Sequence, residues 1–158
     1  YALFTDYYKD PVKTRAVMTD DGWFKTGDIG TLDSRGLLAF HGRLKDMLKV
    51  GGENVAALEI EGLLLTHPAV KMAQVVGAPH DRLGEVPAAF IELVDNACCG
   101  EEEIIEFCKN QIASFKVPRL VRFVTAWPAS ATKIQKFKLI EQLAQLEAST
   151  ASTEVSDV

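Results

Sequence analysis

The chain has 158 residues, of which 47% are hydrophobic and 25% charged, a composition typical of a globular protein. Its formal net charge of −5 argues against a nucleic-acid partner, because duplex-binding proteins present basic faces. The three cysteines and three histidines have no spacing typical of a disulfide framework or a metal site, so an intracellular, reducing setting is expected. No apolar run is long enough for a transmembrane segment.

The first part of the chain, residues 1–36, is rich in turn signals and has little periodicity. Clusters such as Asp20-Asp21-Gly22 and Ser34-Arg35-Gly36 separate short pieces that carry aromatic residues. This pattern predicts loops and short strands that need a larger body to pack against, and it does not predict an independent domain.

The rest of the chain has clearer periodicity and predicts an α+β domain with a small sheet of about three strands packed by helices. The nearly continuous apolar run at 86–94 predicts a central strand that is buried on both faces. The Ser/Thr/Ala-rich tail, 147–158, is expected to be disordered. Short apolar segments predict strands at 37–42, 46–50, 70–76, 86–94 and 120–124, and amphipathic spacing predicts helices at 55–67, 101–112 and 136–146.

Four short motifs are candidates for chemistry, and each also has an ordinary structural explanation. A carboxylate on the Thr26-Gly27-Asp28 turn can accept hydrogen bonds from ribose hydroxyls, or the motif is only a turn. Arg43 can donate to sugar or phosphate oxygens, or it is a surface arginine. The Gly51-Gly52 pair permits close approach of a ligand to the backbone, or it is a plain loop between a strand and a helix. The Gly-Lys-Ser/Thr signature of a P-loop is absent. Lys133 follows small polar residues and can deliver a point charge, or it belongs to a solvated basic face.

The order of the motifs along the chain is more specific than any one of them. The segments GWFKTGDIG, GRLKDMLKVGGENV, LEIEGLLLTHPAV, VVGAPHDRLGE, FKVPRLVRFV and KIQKFKL follow one another. Over about residues 6–146 this order resembles the C-terminal portion of the acyl-CoA synthetase branch of the adenylate-forming (ANL) enzymes. The resemblance implies that residues 1–44 are the end of the large N-terminal adenylation domain and that residues 45–146 are the mobile C-terminal domain.

The resemblance implies an acid–thiol ligase. Such an enzyme uses ATP and Mg²⁺ to convert a carboxylic acid, here expected to be a fatty acid, to an acyl-adenylate, and then transfers the acyl group to coenzyme A. The implied partners are the acid, ATP, coenzyme A and the chain's own N-terminal domain, which would hold most of the ATP and Mg²⁺ contacts. A cytoplasmic location is expected, with mitochondrial and peroxisomal locations left open.

The resemblance also assigns roles to individual residues. Lys133 matches the catalytic lysine of the adenylation step, Asp28 and Arg43 match nucleotide contacts, and Lys45 matches the hinge. Lys133 follows Thr132 directly, where family members usually have a glycine, so the loop is one residue short. The channel for the pantetheine arm of coenzyme A would be lined by Gly51, Gly52 and Glu53.

Two other functions remain open at this point. The phosphate loop and acyl pocket of the large domain are absent from this sequence, so a fragment that is inactive alone is expected. One alternative is a stand-alone, non-catalytic domain that binds coenzyme A or a partner large domain. The other is an adenylation domain with a different acceptor, as in luciferases or peptide synthetases, although no carrier-protein sequence follows Leu146.

Overall fold

The computed structural model describes residues 3–131 and 133–154, with side chains up to residue 145. The chain divides into two compact units, Tyr1–Lys45 and Asp46–Val158. The sequence placed the boundary one residue earlier, before Lys45. The assignment of the two units to the end of a large domain and to a mobile domain stays a prediction.

The first unit consists of a short helix and a two-stranded hairpin. Helix α1 spans Pro11–Val17, and strands β1 (Asp28–Leu32) and β2 (Leu38–Arg43) pair in antiparallel fashion. The sequence predicted only loops and short strands here, so α1 was missed. Its start is fixed by local signals: the Asp10 carboxylate accepts a hydrogen bond of 2.9 Å from the Lys13 amide, and proline occupies the first helical position. No residue of this unit between 3 and 45 is buried.

The second unit is a mixed α/β domain, which confirms the predicted fold class. Its main sheet has five strands rather than about three, in the order β4-β3-β6-β5, with β7 added parallel to β6. The sequence assigned part of β4 to the following helix. The strands are β3 (Met47–Val50), β4 (Glu53–Ala56), β5 (Val70–His80), β6 (Gly84–Leu93) and β7 (Leu120–Phe123), and a two-stranded hairpin is formed by β8 (Ala129–Ser130) and β9 (Lys133–Ile134).

Three helices pack on this sheet. They are α2 (Ala57–Leu64), α3 (Glu101–Cys108) and α4 (Lys136–Glu154). Three glutamates occupy the first turn of α3, where negative charge is favourable at the positive end of the helix dipole. The backbone of α4 begins where the sequence predicted but continues past the predicted end at residue 146. Residues 155–158 lie outside the described residues, and the disorder of 147–158 stays a prediction.

Strand β6 is the centre of the domain, as predicted. Its residues 86–91 are all buried, and successive side chains alternate between the two faces of the sheet. Ala89 and Ile91 belong to a cluster with buried residues of α2 and α3. Ala88 and Phe90 belong to a second cluster with Leu139 and Leu143 of α4, so α4 covers the opposite face. Within the described residues, none of the helices has the length and apolar character of a transmembrane span.

Candidate functional site

Asp28 and Arg43 lie opposite each other in the β1–β2 hairpin of the first unit. The Arg43 Nε atom is 3.1 Å from Asp28 Oδ1, and about half of the arginine side chain is exposed. Gly27 has φ +74°, a left-handed conformation that favours glycine, and it leads directly into the strand that carries Asp28. A carboxylate accepts several hydrogen bonds, so the pair can still present both acceptors and donors to a ligand. The sequence did not predict that these two residues pair.

Lys45 is the last residue of the first unit and the middle residue of a short 3₁₀ helix, Leu44–Asp46. Its side chain is exposed. The position is that of a boundary residue, and the hinge role stays a prediction.

Gly51 and Gly52 form the tight turn between β3 and β4. Their φ angles are +60° and +93°, and Val50 pairs with Glu53 across the turn. Positive φ at both central residues is the geometry of a type I′ hairpin turn, which explains the two glycines without a ligand. The Gly51 amide donates a 2.8 Å hydrogen bond to the Leu83 carbonyl oxygen, and the space beside Gly52 is open. The role of Gly51, Gly52 and Glu53 in a coenzyme A channel stays a prediction.

Lys133 lies in the β8–β9 hairpin, immediately before α4. Ser130 pairs with Lys133, so only residues 131 and 132 connect the strands, and Thr132 itself lies outside the described residues. The base of the hairpin is closed by a 2.7 Å hydrogen bond from the Gln135 amide to the Pro128 carbonyl oxygen. The Lys133 side chain is exposed, and within the described part of the chain its ammonium group makes no ion pair.

Lys136 has a different environment from Lys133. Its Nζ atom donates to Glu61 Oε1 at 2.6 Å and to the Val75 carbonyl oxygen at 3.2 Å. The same Glu61 oxygen accepts a 2.8 Å hydrogen bond from the Val75 amide, and the Glu61 side chain is only 8% exposed. Sequence reasoning missed this pair, because no spacing rule connects positions 75 residues apart.

A second carboxylate, that of Glu92, contacts Trp127, which lies two residues before the hairpin. Glu92 Oε2 accepts a 2.6 Å hydrogen bond from the Trp127 indole, and Glu92 Oε1 lies 2.6 Å from Lys71 Nζ. The hydrogen bond from Lys71, together with that from Trp127, lowers the pKa of the Glu92 carboxyl below its ordinary value. Glu92 therefore accepts hydrogen bonds in its ionised form.

A cluster of His67, Cys99 and Glu103 places three possible metal-ligand atoms within 4.8 Å of one another. The details fit hydrogen-bonded packing rather than a metal. The Ala69 amide donates to His67 Nδ1 at 3.2 Å, and the other ring nitrogen, Nε2, lies 3.7 Å from Glu103 Oε1. A metal-bound histidine instead donates from its second nitrogen. Burial, with the neighbouring Glu103 carboxylate, raises the pKa of the Cys99 thiol to about 11.

Two open clefts in the first unit, along residues 6–15 and 31–39, include none of the predicted site residues. Within the described residues, no hydrogen bond or ion pair joins Lys133 to the Gly51-Gly52 turn. Within the second unit, the glycine turn and the Lys133 hairpin are therefore separate local groups.

The chain is similar to known proteins over most of its length. Residues 59–133 match the family model of the AMP-binding enzyme C-terminal domain. The mitochondrial medium-chain acyl-CoA ligase ACSF2 of Danio rerio is 46% identical over 143 residues, which cover 90% of this chain and 24% of that protein. The putative acyl-CoA synthetase YngI of Bacillus subtilis is 44% identical over 147 residues, which cover 92% of this chain and 27% of that protein.

Comparison with solved structures agrees with the comparison of sequences. The crystal structure of ATP-bound MatB from Rhodopseudomonas palustris matches with a TM-score of 0.83 and 36% identity, over 89% of this chain and 28% of that one. A fatty acyl-CoA synthetase of Mycobacterium tuberculosis matches with a TM-score of 0.65 and 41% identity, over 87% of this chain and 27% of that one. The chain thus spans about a quarter of the length of the curated relatives it matches. It belongs to the adenylate-forming (ANL) superfamily and contains the AMP-binding enzyme C-terminal domain.

Proposed function

We propose that this chain serves as the C-terminal part of an AMP-forming acyl-CoA ligase. The complete enzyme would activate a carboxylic acid with ATP and Mg²⁺ to an acyl-adenylate and then transfer the acyl group to coenzyme A. The observation that carries this proposal is the identity of 46% to a medium-chain acyl-CoA ligase across 90% of the chain. By the names of its relatives the acid would be a fatty acid of medium length, and the mitochondrial location of ACSF2 favours that compartment over the cytoplasm.

Lys133 is the residue we propose for the adenylation step. The substrate carboxylate and the triphosphate repel each other, and an ammonium group between them offsets that repulsion and the charge that develops at phosphorus. The environments of the nearby lysines support this choice. Lys133 is exposed in a hairpin, whereas the Lys136 ammonium is held by Glu61. Lys138 lies within α4, 6.0 Å from the centre of the Phe137 ring.

Asp28 and Arg43 are proposed as nucleotide contacts. The two side chains stand side by side at one end of a hairpin, so a ribose hydroxyl pair could bond to the carboxylate while the guanidinium contacts a phosphate or sugar oxygen. The same pairing makes Asp28 a poor Mg²⁺ ligand, and none of the other predicted site residues supplies a carboxylate cluster. The Mg²⁺ ion of the reaction is therefore assigned to the large domain.

Lys45 and the glycine turn are proposed to serve the second half-reaction. A residue at the boundary between two compact units is suited to absorb a change in backbone angles, which supports Lys45 as the hinge. The Gly51-Gly52 turn has open space beside Gly52, where a pantetheine arm could lie against the backbone, with Glu53 next to it.

The test uses the complete enzyme with Lys133→Ala, and with Lys138→Ala as a matched control in the same segment. Adenylation is followed by pyrophosphate release with a series of medium-chain fatty acids. Thioester formation is followed separately, from pre-formed acyl-adenylate and coenzyme A. Loss of the charge should lower adenylation about 10²–10³-fold and leave the second step nearly unchanged.

Two results would contradict the proposal. If the parent enzyme releases no pyrophosphate with any fatty acid, the assigned activity is wrong. If Lys138→Ala loses as much adenylation as Lys133→Ala, the catalytic lysine has been placed at the wrong position.

A further inference from the structure

The hairpin that carries Lys133 is attached to the domain on both sides by buried or partly buried carboxylates. On the entry side, the indole of Trp127 donates to Glu92. On the exit side, Lys136 donates to Glu61, which is among the few buried charged residues of the described chain. Between these anchors, the hydrogen bond from the Gln135 amide to the Pro128 carbonyl oxygen closes the hairpin at its base.

The exit anchor joins elements on opposite faces of the sheet. Glu61 belongs to α2, whose buried residues pack on one face, and Lys136 begins α4, whose buried residues pack on the other. The two side chains meet at the outer edge of β5. There Val75 donates its amide to the Glu61 carboxylate at 2.8 Å and accepts from the Lys136 ammonium at 3.2 Å.

This geometry limits where Lys133 can be. Lys136 is three residues beyond Lys133, and an extended chain advances about 3.3–3.6 Å per residue, so the Lys133 backbone stays within about 11 Å of the Lys136 backbone, whose side chain is held at Glu61. The hydrogen bond at Gln135 shortens the free segment further. The exposed ammonium group can therefore move at the tip while its backbone is held at the base.

Lys136 is the alternative candidate for a phosphate contact, because it is a lysine of the same segment, three residues after Lys133. Such a contact would require its ammonium to leave Glu61, and the carboxylate, 8% exposed, would remain in the domain without its positive partner. An unpaired buried charge is strongly unfavourable. The contacts thus favour a structural connection to the hairpin over a direct contact with substrate.

We propose that Glu61 and Lys136 are positioning residues of the adenylation step: their buried ion pair fixes the exit of the hairpin and so sets the place of the Lys133 ammonium. This inference rests on the proposed function. Neither residue touches substrate, and the pair acts through Lys133. Because a displacement of about 1 Å in a reacting group can cost about 10²-fold in rate, loss of the pair should be visible in turnover.

The experiment uses the complete enzyme with Glu61→Gln, Lys136→Met and the double variant, and with Lys138→Met as control. Each single change should lower the kcat of pyrophosphate release about 10–100-fold while the KM for ATP stays within about twofold. Thioester formation from pre-formed acyl-adenylate should stay within about twofold. The double variant should be no slower than the slower single variant, because both changes remove one shared interaction. Lys136→Arg, which keeps the charge, should retain most of the activity.

Thermal unfolding of each variant is measured first, and all assays are run well below the lowest midpoint. An equal loss in both half-reactions, or a lower midpoint with unchanged adenylation, would mean that the pair only holds the fold together and would overturn the proposal. A raised KM for ATP in Lys136→Met with normal behaviour of Glu61→Gln would make Lys136 a phosphate contact instead. If the parent enzyme releases no pyrophosphate, the proposed function fails and this role fails with it, whereas an active parent with unaffected variants overturns this role alone.

Discussion

The two compact units differ most in what they bury. In the first unit no residue between 3 and 45 is buried, and side chains such as Tyr8, Trp23 and Leu38 are at least 70% exposed. In the second unit two apolar clusters fill both faces of one sheet. Regular structure in the first unit therefore depends on caps, turns and backbone hydrogen bonds, and in the second it is also stabilised by burial. A large exposed apolar surface is typical of an interaction site.

The largest expected contrast between the units is in stability. Phe90 is 2% exposed at the centre of β6, and Phe40 is 55% exposed on β2. Phe90→Ala should destabilise the chain by about 3–5 kcal/mol, because it removes buried area and leaves a cavity. Phe40→Ala should change the free energy of unfolding by less than about 0.5 kcal/mol. Urea denaturation of the two variants measures both values, and equal losses would show that the first unit has a core of its own.

A second contrast concerns chemistry rather than stability. Asp28→Ala in the complete enzyme should weaken ATP binding about tenfold by removing a hydrogen-bond acceptor, and it should reduce the preference for ATP over 2′,3′-dideoxy-ATP. Asp33→Ala is the control. Asp33 lies in the loop of the same hairpin, where its carboxylate accepts from the Leu37 amide at 2.9 Å. A preference for the ribose hydroxyls that is unchanged in Asp28→Ala would make Asp28 a turn residue only.

The smallest expected effect is a pH dependence that belongs to the second unit. The hydrogen bonds from Lys71 and Trp127 hold the pKa of Glu92 below its ordinary value of 4.5. The folded state thus binds this proton less readily than the unfolded state, so the contribution of Glu92 to stability is complete above about pH 4.5 and is lost as the pH falls through the folded pKa.

Urea midpoints measured at intervals from about pH 6 to about pH 3 would detect this loss. Glu92→Gln should flatten the acid limb of the curve, since glutamine does not titrate. A curve for Glu92→Gln that runs parallel to that of the parent at every pH would show that other carboxyls account for the acid sensitivity of the second unit.

Sequence reasoning was most successful where a local pattern of residues determines the structure. The apolar run of β6 and the start of α4 at Lys136 were both predicted correctly, and so was the family. It failed for α1, a helix of seven residues with no buried side chain, whose start depends on the Asp10 cap and the proline that follows it. It also failed for β4, a four-residue strand whose one buried residue, Val55, fitted a helical pattern equally well.

The candidate site was only partly accessible from sequence. The motif order gives Lys133 a role through resemblance, but its surroundings depend on contacts between distant parts of the chain. The Glu61–Lys136 pair joins positions 75 apart, and the Asp28–Arg43 pair depends on the register of a hairpin that contains a bulge. Local patterns carry no information about such contacts, because tertiary packing determines which side chains meet.

The ion pair at Val75 also bears on the solubility of the domain. Strand β5 is eleven residues long and forms one end of the strand order, and exposed edges of that length are templates on which a foreign strand can add. At Val75 the backbone amide and carbonyl that such a strand would need are already bonded to Glu61 and Lys136. An incoming strand would have to displace both side chains, so this pair protects the middle of the edge from aggregation.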